Sequence, residues 1–172
     1  MKSFETEITF VAAALAMALQ FAAPDAMAAD LLVQARQFAA PARSYPELTN
    51  INDQVAALIT RLEANTNQLK AYRKAHIRAT DRRYSSLTRE FNQSRSRMSE
   101  LERKLEKAPS LDVNRFPAPA GSDRGSSSSD VRERAMAGED KKYRQAKASL
   151  RQSLKILSDY YDQQLREIAK LR

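Results

Sequence analysis

The chain has 172 residues, 29 of them basic and 21 acidic, a formal net charge of +8, one histidine, three glycines, no cysteine and no tryptophan. That inventory excludes disulfides, zinc sites built from histidine or thiolate clusters within the chain, Cys-His nucleophilic pairs and glycine-rich phosphate loops. Few glycines with abundant Ala, Leu, Gln, Arg, Lys and Glu predict an all-α protein, without catalytic, cofactor-binding or metal-binding residues.

The first 28 residues, MKSFETEITFVAAALAMALQFAAPDAMA, read as a signal peptide. An apolar core from Val11 to Ala23 is broken only by Gln20, then followed by Pro24 and by Ala26-Met27-Ala28. Small residues at the last and third-last positions suit a signal peptidase, which places cleavage between Ala28 and Ala29 and the protein in the periplasm or outside the cell. Against this, Lys2 is outnumbered by Glu5 and Glu7 in a region that should be positive. The alternative is a retained inner-membrane anchor, although the apolar run from Ile8 to Ala23 is 16 residues, short of the ~20 that span a bilayer. Without a cysteine there is no site for a lipoprotein-type acyl anchor. The leader carries Lys2 against Glu5, Glu7 and Asp25, so removing it would raise the formal charge from +8 to +10.

Residues 29–46 form an N-terminal segment. From Glu47 to Lys107 there is neither proline nor glycine, and residues 47–108 are predicted as one long helix. Ser44 stands at capping-box spacing before Glu47, Pro46 suits a first turn, and Lys104, Lys107 and Pro109 mark the end. Unbroken, it would be a rod of roughly 90 Å. Its apolar seam runs through Leu48, Ile51, Val55, Leu58 and Leu62, is interrupted at Asn65, and continues through Leu69 and Tyr72 to His76 and Ala79. A second seam, Tyr84, Leu87, Phe91, Ser94, Met98, Leu101, Leu105, is displaced by one residue from the first. A slip of this kind, near residues 73–84, is absorbed by local unwinding or by a break in the helix.

Residues 109–130, rich in Pro, Gly and Ser, are predicted as a disordered linker, with Leu111, Val113 and Phe116 able to tack its first half onto a helix. A second amphipathic helix follows over 131–172, capped by Asp130, with Gly138 delaying its regular part. Its seam is Tyr143, Leu150, Leu154, Leu157, Tyr161, Ile168 and Leu171. The expected fold is a coiled-coil-like helical hairpin with the linker as its turn. Because the second helix is the shorter, Ile51, Val55, Leu58 and Leu62 are left without an intramolecular partner. They would meet another copy, another protein or the N-terminal segment folded back. Self-association through these four residues is the favoured expectation.

Arg73, Lys74, Arg78, Arg82 and Arg83 crowd around the single His76 and are the candidate polyanion contacts. The bland alternative is a solvated helix face. His76 itself reads either as a pH sensor or as a polar seam residue that tunes register. A basic helix beside a coiled coil also occurs in basic leucine-zipper proteins, but there the basic region precedes an uninterrupted zipper. Specific nucleic-acid binding is therefore not expected here.

The expected function is an exported interaction or scaffold protein, probing as partners a second copy, another envelope protein or an anionic envelope polymer. Two alternatives are kept. The layout of apolar segment, long helix, loose joint and second amphipathic helix resembles the inner-membrane spanins of phage lysis, which implies a membrane-anchored, envelope-spanning rod. A basic exported chain with long helical arms is also similar to periplasmic holdase chaperones, which implies binding of client proteins or anionic polymers. Membrane contact is expected only if the leader is retained.

Overall fold

The computed structural model describes residues 24–78, 80–111 and 127–171. They form four α-helices, α1 (Pro24–Ala39), α2 (Pro46–Lys74), α3 (Arg82–Glu106) and α4 (Ser127–Ala169), with a 3-10 turn (Ala40–Ser44) between the first two. No strand occurs among the described residues. The fold is all-α.

The helices run alternately up and down. Gln54 on α2 reaches Lys104 on α3, and Arg61 reaches Gln93, so these two are antiparallel. Tyr161 on α4 meets Asn92 on α3 while Lys147 meets the Glu106 carbonyl, again antiparallel. Ser149 and Ser153 of α4 donate to the carbonyls of Phe38 and Ala35, so α1 runs opposite to α4. Across the bundle α2 and α4 run parallel, joined by the buried Thr66–Tyr160 hydrogen bond and by Arg73–Glu167.

One continuous apolar interior holds the four together. Phe91, Leu48, Ile59, Leu62, Leu69, Leu87, Leu150, Leu154 and Leu157 are among its fully buried side chains. Each contributes roughly 1.5–3 kcal/mol relative to exposure. The α1–α4 contact is built differently, from small residues. Ala35, Ala39, Ala42, Ala146 and Ser153 are buried there, and the Ser153 hydroxyl donates to Ala35 O at 2.7 Å. Small side chains let two helix backbones come close enough for that bond.

Several sequence expectations are corrected. Ile51, Val55, Leu58 and Leu62 are 7%, 0%, 3% and 0% exposed, so the residues set aside for self-association are spent inside one chain. The N-terminal segment folds back as α1 and, with α3 and α4, completes the bundle around them. The single helix over 47–108 is two helices: the chain leaves helix after Lys74 and reverses. The one-residue slip between seams is met by a turn, because two apolar faces offset in register are both buried once the chain doubles back.

Local details differ too. The N-cap of α2 is Tyr45 rather than Ser44, and no side chain caps it, although Pro46 does stand in the first turn. Helix α4 starts at Ser127, so Asp130 lies inside it and Gly138 does not interrupt it. Serine carries only a small helix penalty, about 0.5 kcal/mol, which allows the helix to extend backward through the serine run. Leu111 is buried and Pro109 O accepts from the Tyr143 hydroxyl at 2.5 Å, so the start of the 109–130 segment packs on α4. Its remainder over 112–126, with Val113 and Phe116, and residues 1–23 of the leader lie outside the described residues. Pro24 stands at the start of α1, and that helix runs through the expected cleavage point. The buried positions Leu32, Ala35 and Ala39 all follow Ala29.

Candidate functional site

The chain reverses between α2 and α3 over residues 75–81, and the five candidate cations gather there. The reversal begins with a helix stop of the Schellman type. Ile77 N donates to Tyr72 O at 3.1 Å and His76 N to Arg73 O at 3.0 Å, with His76 at φ 51°. This is the left-handed position usually filled by glycine. Tyr72 and Ile77, the two positions that carry the motif's apolar contact, are both half-buried against the core. His76 is therefore an exposed stop residue of α2. It is not the seam residue the heptad count suggests, because the helix has already ended.

The next helix starts just as definitely. Asp81 is the N-cap of α3, accepting from Arg83 N at 2.9 Å. Arg83 then folds its guanidinium back onto the same carboxylate, Nε to Oδ1 at 3.0 Å and Nη2 to Oδ2 at 2.8 Å, and lies 5.9 Å above the Tyr72 ring. Tyr72 meets Tyr84 edge-on at 5.5 Å, joining the two helix ends. The Arg83 side-chain and backbone hydrogen bonds hold the Asp81 carboxyl down at about 2.

This has a testable sign. A carboxyl depressed in the folded state contributes stability that is complete above its unfolded value of about 4 and is lost as pH falls through about 2. Acid titration of the Arg83 amide resonance is expected to show a midpoint near 2 rather than near 4. A midpoint near 4 would mean that the Asp81–Arg83 pairing is not populated in solution. Glu167 behaves in the same direction: hydrogen bonds from Lys170, and then Arg73, depress its carboxyl.

The five cations thus divide. Arg83 is fastened to Asp81 and Arg73 to Glu167, whose carboxylate and carbonyl it reaches at 3.0 and 3.1 Å. Lys74, Arg78 and Arg82 are exposed and make no ion pair among the described residues. The structure adds cations that sequence reading missed. The last turn of α4 brings exposed Arg166 and Lys170 to the same end of the bundle, and Lys70 sits one turn above Lys74. Only the parallel pairing of α2 with α4 brings these together, and no spacing within either helix announces it. Within residues 70–83 and 166–171 the acids are Asp81 and Glu167, both already bonded to arginine.

Elsewhere on the surface some cations are paired, while others such as Arg103, Lys107 and Arg151 are exposed without an ion pair among the described residues. Arg36 pairs with Glu63, Arg95 with Asp162, Lys104 with Glu100, Lys142 with Glu139 and Arg144 with Asp140. The adjacent carboxylates Glu139-Asp140 and the Glu100 carboxylate thus each face a cation. Among the described residues no group of His, Cys, Asp or Glu could hold a metal ion. Nor is any described helix long and apolar enough to cross a membrane. Comparison with protein-family models, with curated proteins and with solved structures finds no match to this chain.

Proposed function

We propose that this chain is an exported, non-catalytic helical module that binds anionic macromolecular material through the basic end of its bundle. The observation that carries the reading is Arg82. A cation in the first turn of a helix opposes the positive end of the helix dipole, and the first turn of α3 holds no acid. Arg83 beside it is compensated by Asp81, whereas exposed Arg82 has no such partner. The fold gains nothing from this arginine. Lys74 in the last turn of α2 does complement its helix end, so it serves either role.

Contacts of this kind neutralise charge without reading sequence or shape, and they release counterions. Three exposed cations predict a log–log salt slope of about −2 for a flexible polyanion. Affinity for inorganic polyphosphate is expected to fall roughly twenty-fold between 50 and 200 mM salt by that slope. Binding that ignores salt, or no binding at low salt, would remove the electrostatic reading.

A further inference from the structure

We infer that the groove between α2 and α3 holds a second site, which takes a small aromatic carboxylate with its ring on an apolar floor and its anionic group on Arg61 and Arg97. Two bonds that cross from helix to helix bracket this groove. At one end Arg61 Nη2 donates to Gln93 Oε1 at 2.8 Å. At the other, Lys104 Nζ reaches Gln54 Oε1 at 3.1 Å and Glu100 Oε1 at 2.8 Å. Gln54 and Arg61 lie two helical turns apart on α2, so the bracketed stretch is about 10 Å long. Between the brackets, buried Leu58 and Leu101 form the floor. Ala57 beside them leaves the space above unfilled, because its side chain stops at Cβ. The recess measures about 160 Å³, and a void of about 150 Å³ holds one benzene ring. Size therefore selects a single ring-sized body and not a polymer.

Charge selects the head group. Glu100 is the one acid lining the recess, and it is already engaged: its bond to Lys104 is the first cause of its depressed carboxyl, with Arg97 the last. Arg61 spends a donor on the neutral Gln93 amide, and exposed Arg97 makes no ion pair among the described residues. Two guanidiniums are thus left at the rim with donors to spare, one from each helix. Arg103 and Arg151 are exposed as well, but what sets Arg61 and Arg97 apart is the leucine floor they flank. A guanidinium fork matches a carboxylate and also stacks on a flat ring, so one ligand satisfies both features of the recess.

The test is a titration of the full chain with phenylacetate, followed by backbone amide resonances, with phenylacetamide and acetate as controls. Phenylacetate is expected to shift residues 54–61 and 97–104 saturably, with a Kd on the order of 1 mM. Phenylacetamide, a ring without the charge, should bind about ten-fold more weakly. Acetate, a charge without the ring, should leave these residues unshifted at the same concentration. Arg97→Gln, a change at an exposed position that leaves the fold intact, should weaken phenylacetate about three-fold. Ala57→Leu fills the recess from an exposed helix position and should abolish saturation. The triple change Lys74→Gln, Arg78→Gln, Arg82→Gln should alter nothing here, so this site and the basic end fail or stand separately. Equal response to phenylacetamide or to acetate would overturn the pairing of ring with charge. Saturable binding that survives Ala57→Leu, or none in the unaltered chain, would overturn the site.

Discussion

Leu62→Ala is expected to destabilise the folded chain by about 2–5 kcal/mol, and by the same amount at every protein concentration. Leu62 is 0% exposed within a single chain, between neighbours that are themselves buried. Removing its side chain leaves a cavity that rigid helices close only in part. A residue whose burial came from a second copy would behave differently, because dissociation would precede unfolding and the midpoint would rise with concentration. Denaturant melts of the unaltered and altered chains at two concentrations a hundred-fold apart separate the cases. A concentration-dependent midpoint would return Ile51, Val55, Leu58 and Leu62 to the self-association role that their spacing first suggested.

Ser153→Leu is expected to detach α1 while leaving α2, α3 and α4 packed. Ser153 is fully buried opposite Ala35, and its hydroxyl satisfies the Ala35 carbonyl. Leucine removes that bond and drives a branched side chain between two backbones held close by Ala35, Ala39 and Ala146. Overpacking of this kind costs about 1–3 kcal/mol, with about 1 more for the lost hydrogen bond. Helix α1 has 16 residues against 43 in α4, so it is the element that yields. Limited proteolysis should then cut between residues 24 and 44 first, with the remaining fragment resistant. Uniform digestion along the chain would show that α1 is integral to the bundle's cooperativity.

What could be read in the sequence follows from how local each determinant is. The all-α class is carried by composition. The two seams from Leu48 to Leu69 and from Tyr84 to Leu105 correspond to buried positions, with Asn65 buried as well and Tyr72 half-buried. Their one-residue offset marks where α2 gives way to α3. A reversal was still hidden, because the turn lacks glycine and proline and uses His76 at φ 51° instead. The pair Tyr72 and Ile77, five apart across that histidine, was the available signal of a Schellman stop. From sequence, the packing of residues 29–44 is only one of three alternatives, and not the favoured one, for another reason. Their buried residues are mostly alanines, which pack well only against an equally small surface on α4, and that match is made between segments over 100 residues apart.

The basic site was half legible. Arg73, Lys74, Arg78, Arg82 and Arg83 are indeed neighbours, but which of them is free depends on Glu167, 94 residues away from Arg73. Asp81 could be seen beside Arg83 in sequence. Its dual use as helix cap and arginine clamp required the reversal to be known.

The claim that location, and not total charge, makes the binding surface is tested most directly by two matched triple variants. One replaces Lys74, Arg78 and Arg82 by glutamine. The other replaces Arg103, Lys107 and Arg151, three exposed cations away from the reversal. Both lower the net charge by the same amount. Measured by the salt dependence of polyphosphate affinity, the first should lose the slope of about −2 and fall toward zero, while the second should keep it. Equal losses in the two would contradict a binding end and leave only a basic protein.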